Sequence, residues 1–203
     1  AGYQANEGAL KAEASMPTDL KSVSIKTIAH FLPVSEQVLA DVPALQQQID
    51  SLLRYGVGSK LERELIVGTG SPGQIGGLTD TGNFIVWSPS TSTLNTADKI
   101  GEALASLDAA GWAGNLIVLH PNDWQAMRSE RAETGGEYLA GSWNNPAAPN
   151  VWGVPVVTSP YITEGNAIVL DTSQVALLER QDATVQMGWI EDQFARNVVT
   201  VRA

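Results

Sequence analysis

The run "PALQQQIDSLLRYGVGSKLERELIVG", Pro43 to Gly68, decides the fold. Leu45, Ile49, Leu52, Leu53, Val57, Leu61 and Leu65 recur at steps of three and four. That spacing lays one apolar stripe along an α-helix of about six turns. Pro43 stands at its start and Gly68 caps its end. Gly56 and Gly58 lie inside it, each weakening it by about 1 kcal/mol. A helix this long in a small chain serves as a spine on which other elements pack.

Upstream, "SVSIKTIAHFLPVS" (Ser22 to Ser35) alternates. Val23, Ile25, Thr27 and Ala29 share one face and Ser24, Lys26, Ile28 and His30 the other, the pattern of a strand that Pro33 and Ser35 end. Ser35 then caps a short helix running to Asp41. Residues 1–21 have little to bury and read as an extended arm. Downstream, "GTGSPGQIGGL" (Gly68 to Leu78) reads as a flexible linker, followed by a short strand from Asn83 to Trp87. A helix spans Ala97 to Ala110, with Ile100, Leu104 and Leu107 on its apolar face. A buried strand, Asn115 to His120, runs into a helix from Asn122 to Ala132. "WGVPVVTS" (Trp152 to Ser159) is a strand near an edge or an end, because Pro155 has no N–H to give a ladder. "NAIVLDTS", "VALLERQDATVQMGW" and "ARNVVTVRA" make the last third β-rich. This mixed order, without a repeat, gives an α+β class with helices around two sheets.

At 203 residues the chain can bury a sizeable core in one large domain or two small ones. Twelve basic against twenty-two acidic residues give a net charge of −10 and no visible Lys/Arg cluster. That argues against a general nucleic-acid binder, which needs a basic face to displace counterions. With no cysteine there is no disulfide, thiolate chemistry or Cys-based zinc site. No apolar run reaches the roughly 18 residues of a membrane span. The polar N-terminal stretch has no signal-peptide core, and the start at Ala1 reads as a processed product or a fragment.

The stretch "LIVLHPNDW" (Leu116 to Trp124) invites a catalytic reading, with His120 as general base or metal ligand and Asp123 assisting. A structural reading competes with it. Pro121 suits a first helical position, since its missing N–H would have no partner there. His120 is then the N-cap, and Asp123 the acid that accepts from free N–H groups at the positive end of the helix dipole. We adopt the second reading: a His-x-x-x-His or His-Glu-x-x-His pair is absent. His30 reads as a half-buried structural residue. The glycine-rich loop follows a helix instead of preceding one and lacks Gly-Lys-Ser/Thr, so it fails the phosphate-loop pattern. A Gly-x-Ser-x-Gly elbow is also missing. The six tryptophans are expected mostly in the core, with some as interface anchors.

Several stretches taken in order resemble the major capsid proteins of tailed phages with the HK97-like fold. They are "KTIAHFLPVSEQVLADVPALQQQIDSLLRYGV" with "KLERELIVGTG", "LIVLHPNDW" followed by "GGEYLAG", and "WGVPVVTSPYI" leading into "DATVQ" and "QFARNVVTVRA". They span about residues 9 to 203, and their order is more specific than any one of them. The resemblance implies that residues 1–24 are the descending half of an extended loop (the E-loop). It implies that 25–82 are a peripheral (P) domain with the spine helix at about 43–67, 83–178 an axial (A) domain, and 179–203 a return to the P-domain sheet. Family members have an N-terminal arm and an ascending E-loop strand before this point and a further strand after it. The chain is therefore expected to be a truncated coat protein, its P-domain sheet left with an unpaired edge.

Some members cross-link subunits when a Lys amine attacks an Asn side-chain amide with loss of ammonia. By position, Lys11 and Asn197 are the candidates here. The amine must be neutral to attack, and the carboxylate that takes its proton in the cross-linkers would lie beyond Ala203. We adopt the alternative, in which Lys11 is a surface charge and Asn197 a strand-end residue. The function implied is structural and not enzymatic. The chain would be a subunit of an icosahedral phage or prophage capsid, self-assembling as pentamers and hexamers around double-stranded DNA whose sequence it does not read. Each interface would bury on the order of 1,000–2,000 Å². A scaffold, a maturation protease and a portal are the further partners implied, with no cofactor, metal or membrane. The location implied is the virion, after assembly in the bacterial cytoplasm. Two rivals stay open: an encapsulin-like compartment with protein cargo, and a small α/β enzyme using His120 and Asp123. Gene-transfer particles and defective prophages fall within the first class.

Overall fold

A computed structural model describes residue 7 and residues 23–91, 94–132, 136–140 and 149–203. Its organising element is the expected long helix. A six-residue helix α1 (Glu36–Asp41) leads into α2 (Pro43–Val67), whose 25 residues extend about 37 Å. Ile49 and Leu53, one turn apart on one face, are buried, whereas Leu52 is exposed. The buried stripe is thus narrower than the apolar pattern, and the rest of it faces water.

The first half of α2 packs on a three-stranded antiparallel sheet of β1 (Phe31–Ser35), β6 (Gln186–Gly188) and β7 (Val198–Arg202), in the order β1-β7-β6. Ile49, Leu53 and Val201 form its core, with Val34, Leu39 and Leu45 against them. The strand expected from Ser22, with Pro33 and Ser35 ending it, begins only at Phe31, contains Pro33 and ends at Ser35. Backbone bonds between His30 and Ala203 in both directions (2.9 and 3.0 Å), and from Glu36 N–H to Asn197 O (2.9 Å), set the register. Even-numbered residues therefore bond to β7, and Pro33 sits where its N would point to the free edge. Residues 23–30 alternate in sequence but belong to no strand. Ser35 is at the N-cap of α1 but makes no side-chain cap bond.

The second half of α2 reaches a four-stranded sheet. Its strands are β2 (Leu116–Leu119), β3 (Asn150–Val151), β4 (Val154–Thr158) and β5 (Ala167–Leu170), in the order β3-β4-β2-β5. Only β2 and β4 are parallel, as the intervening helix α4 (Pro121–Ser129) permits. Ile100 and Leu104 of α3 (Thr96–Ala109) pack with Ile117, Leu119, Val156 and Met127. Two side-chain contacts join α2 to the loop after β4: Ser159 Oγ donates to Glu62 Oε1 (2.6 Å), and the hydroxyls of Ser59 and Tyr161 share a hydrogen bond. The spine helix thus supplies Ile49 and Leu53 to the first core and is hydrogen-bonded to the loop beside the second.

The glycine-rich loop is not a flexible linker. It folds back and closes the end of α2: Leu78 N–H donates to Leu65 O (2.8 Å), and Thr79 donates to Ile66 O from N–H (3.0 Å) and Oγ1 (2.7 Å). These bonds satisfy carbonyls that a helix end leaves open. Gly68 caps the helix, but in an extended conformation (φ −60°, ψ 140°) and not the left-handed one. Glycine is needed there because a Cβ would collide with Ile75 O and Glu64 O. The run Asn83–Trp87, expected as a strand, pairs with nothing among the described residues.

Candidate assembly surface

The His120–Asp123 pair is not brought together as a catalytic relay. His120 is the N-cap of α4, its Nδ1 accepting from Asn122 N–H at 3.2 Å. Asp123 Oδ2 accepts from Gly165 N–H at 2.8 Å, on the turn before β5, and not from its own helix as the sequence pattern implied. Glu164, on the same turn, takes Asn122 Nδ2 and lies 3.5 Å from His120 Nδ1. The contacts of Asp123, Asn122 and His120 with Gly165 and Glu164 tie the start of α4 to that turn. Among the described residues, no cluster of three or more His, Cys, Asp or Glu could hold a metal ion.

Asn197 follows a 3-10 turn (Gln193–Arg196) in the left-handed region (φ 53°, ψ 41°), where asparagine is among the better tolerated residues. Its carbonyl accepts from Glu36 N–H, and its side chain is exposed at the start of β7. Lys11 lies outside the described residues. His30 is half-buried, its ring against Gly56 of α2.

Three carboxylates sit below their ordinary range. Glu64 is held down first by Lys60, whose Nζ is 2.7 Å from its Oε1 in a largely buried site. Ile75 N–H adds to the lowering, although no partner meets hydrogen-bond geometry at Oε2. Glu102 is lowered by the hydroxyl and N–H of Ser90, and Asp171 by those of Ser173. Each stays charged near neutral pH while holding a local turn.

The dominant feature of the surface is apolar. Among the described residues fourteen hydrophobic side chains are buried, while twenty-three large ones are exposed. A soluble monomer normally scatters such residues singly; here they fall in runs. Phe84 to Trp87 is one, and Val175, Leu177 and Leu178 another. Met187, Trp189, Ile190 and Phe194 form a third, with the Trp189 and Phe194 rings edge to face at 5.8 Å. A groove of about 360 Å³ lies beside this third patch, between α1 and β6.

The tryptophans overturn the core expectation: Trp87, Trp112, Trp152 and Trp189 are all exposed, and Trp124 is the half-buried one among those described. Trp152 is the most constrained of them. It and Gly153 both have positive φ (53° and 81°), giving the two-residue turn that joins β3 and β4. Its Nε1 donates to Ala97 O (2.8 Å), and its ring covers Gly101, where a Cβ would stand 2.7 Å from Nε1. Hydrophobic content alone could not separate these outward tryptophans from core ones, because both kinds are apolar. The usable signal was their place at turns and strand ends.

Two sheets, a spine helix and, among the described residues, more exposed than buried large apolar side chains make up this α+β fold. The chain belongs to the phage capsid family, whose model matches residues 1–203. It is 29% identical over 197 residues to the major capsid protein of Enterobacteria phage HK97, an overlap covering 96% of this chain and 51% of that protein. The chain thus spans about half the length of this curated relative. Solved structures share the fold. One from Microbacterium phage Oxtober96 superposes with a TM-score of 0.69 at 21% identity, over 86% of this chain and 62% of that one. One from Mycobacterium phage Bobi gives 0.64 at 20% identity with the same coverage. The capsid of an empty GTA particle gives 0.60 at 15% identity, over 86% and 64%. The fold is α+β and HK97-like.

Proposed function

We propose that this chain is the shell-building part of a major capsid protein, a structural subunit that associates with copies of itself into an icosahedral shell around double-stranded DNA. The observation that carries this reading is the excess of exposed over buried large apolar side chains, in a chain of the phage capsid family. Exposed surface of that kind is stabilising only when neighbours cover it. The net charge of −10 fits a wall that does not cling to the DNA it encloses. The working site is surface, and the role is structural.

Within this reading, residues 1–24 belong to the E-loop, 25–82 and 179–203 to the P domain, and 83–178 to the A domain that faces the five- and six-fold centres. Support comes from two separate cores, one of α2 with β7 and the other of α3 with β2 and α4. Pentamers and hexamers are the self-contacts. Scaffold, protease and portal are transient partners, and the virion is the location after assembly in the host cytoplasm. Sedimentation velocity on the expressed coat protein tests the proposal: fast-sedimenting closed assemblies are expected, and a single slow monomer at all concentrations would contradict it.

A further inference from the structure

One nitrogen of His120 stands between two partners with opposite demands. Nδ1 accepts from Asn122 N–H at 3.2 Å, which requires a lone pair there and leaves the ring proton on Nε2. The same Nδ1 lies 3.5 Å from Glu164 Oε1, a neighbour it can bind only as a donor, with a proton in place of that lone pair. A neutral ring therefore caps α4 and an imidazolium cannot. Once protonated, Nδ1–H meets Asn122 N–H donor to donor, and the added charge meets the positive end of the helix.

The surroundings let the second bond form. The His120 side chain is 17% exposed and that of Glu164 59%, so the carboxylate can close the gap at little packing cost. Asn122 Nδ2 already donates to Glu164 Oε1, which keeps that carboxylate at the start of α4. Asp123, the acid in the first turn of α4, is taken up by Gly165 N–H on the same turn as Glu164. Where β2 ends before His120, Leu119 O accepts from Ser159 N–H, and Ser159 Oγ occupies the carboxylate of Glu62 of α2. Among the described residues, Glu164 is the one acid within 4 Å of the imidazole nitrogens.

We propose that His120 is a proton-operated switch where α4 meets the turn before β5. Neutral, it caps α4 through Asn122 N–H. Protonated, it releases that N–H and pairs with Glu164, so that α4 grips the turn more tightly while its own first turn loosens. One proton passes from solvent to Nδ1, and no covalent bond between heavy atoms changes. The switch is internal to the subunit and does not depend on the reading of the chain as a shell protein.

Histidine is the side chain whose charge ordinarily changes between about pH 5 and pH 8. Hydrogen exchange of the expressed coat protein at those two pH values, corrected for intrinsic rates, reads both bonds. In the parent, acid should lower the protection of Asn122 to Trp124 and raise that of residues 163–166, each by about twofold or more. His120→Asn keeps a capping acceptor without a titrating proton, and should abolish both changes. Glu164→Gln should keep the loss at α4 and abolish the gain at the turn. Opposite movements in the parent that vanish in this pattern support the switch. Two regions moving together, protection indifferent to acid, or an acid response that persists in His120→Asn each overturn it.

Discussion

The imidazole of His30 lies against Gly56, so that a Cβ at position 56 would stand 2.6 Å from His30 Cε1. The first sheet, where His30 pairs with Ala203, and the spine helix thus meet at a residue without a side chain. Two glycines inside one helix therefore have different reasons. Gly58 has nothing within 4 Å of its missing Cβ. Gly58→Ala should stabilise the chain by about 0.5–1 kcal/mol in urea unfolding. Gly56→Ala should gain much less or lose, and His30→Ala should restore its gain. Equal gains at both glycines would show that the ring contact carries no weight.

Gly77 is a harder constraint. A Cβ there would stand 2.6–2.9 Å from Gly68 N, Ile66 O and Glu64 O, all backbone atoms that cannot swing aside. Gly77→Ala should destabilise by roughly 1–3 kcal/mol, through overpacking of the loop that closes α2. Hydrogen exchange should show the last turn of α2 opening first. An unchanged midpoint would mean the loop is not a cap.

His120→Ala should cost about 0.5–2 kcal/mol, the usual range for a lost N-cap, and His120→Asn should recover most of it. Asparagine can accept from the same N–H, which a general base could not be expected to survive. Thermal melts of the three proteins check this. Indifference to His120→Ala would remove the capping role.

Glu64 sets a pH dependence. Its folded pKa is depressed below its ordinary 4.5, with Lys60 the largest cause. A depressed carboxylate contributes stability that is fully present above the unfolded value and lost as pH falls through the folded one. Lys60→Met should therefore be less stable than the parent at neutral pH, and the gap should close as the medium is acidified through and below about pH 4.5. A gap of constant size across that window would show that Lys60 acts by packing alone.

For the pair Lys11 and Asn197, mass spectrometry and denaturing gels of assembled particles should give monomers only. The left-handed backbone of Asn197 supplies a conformational reason for an asparagine there that needs no cross-link. Asn197→Gly should keep stability and assembly, whereas Asn197→Val should lose on the order of 1–2 kcal/mol. Covalent oligomers would reverse this assignment.

Elements with a local signature were legible in the sequence. The leucine spacing gave α2, Pro121 gave the start of α4, and "LIVL" gave β2. What failed was set by partners far along the chain. The alternation from Val23 to Ala29 looked like a strand, but among the described residues pairing starts only at His30. Phe84–Trp87 had strand composition without a partner strand. The glycines of residues 68–77 looked like freedom, whereas Gly68 and Gly77 mark close backbone approaches. The tryptophans were expected mostly in the core, whereas Trp152 covers Gly101 from the surface. The exposed apolar surface was hidden for the same reason: periodicity marks an apolar face but does not say whether it is covered.

The central claim is that this apolar exterior exists to be covered by copies of the same chain. Electron microscopy of the purified full coat protein tests it most directly. Closed icosahedral shells, with the Phe84–Trp87 and Trp189–Phe194 surfaces buried between subunits, are the expected result. Dispersed particles of monomer size under conditions where the chain is folded would contradict it.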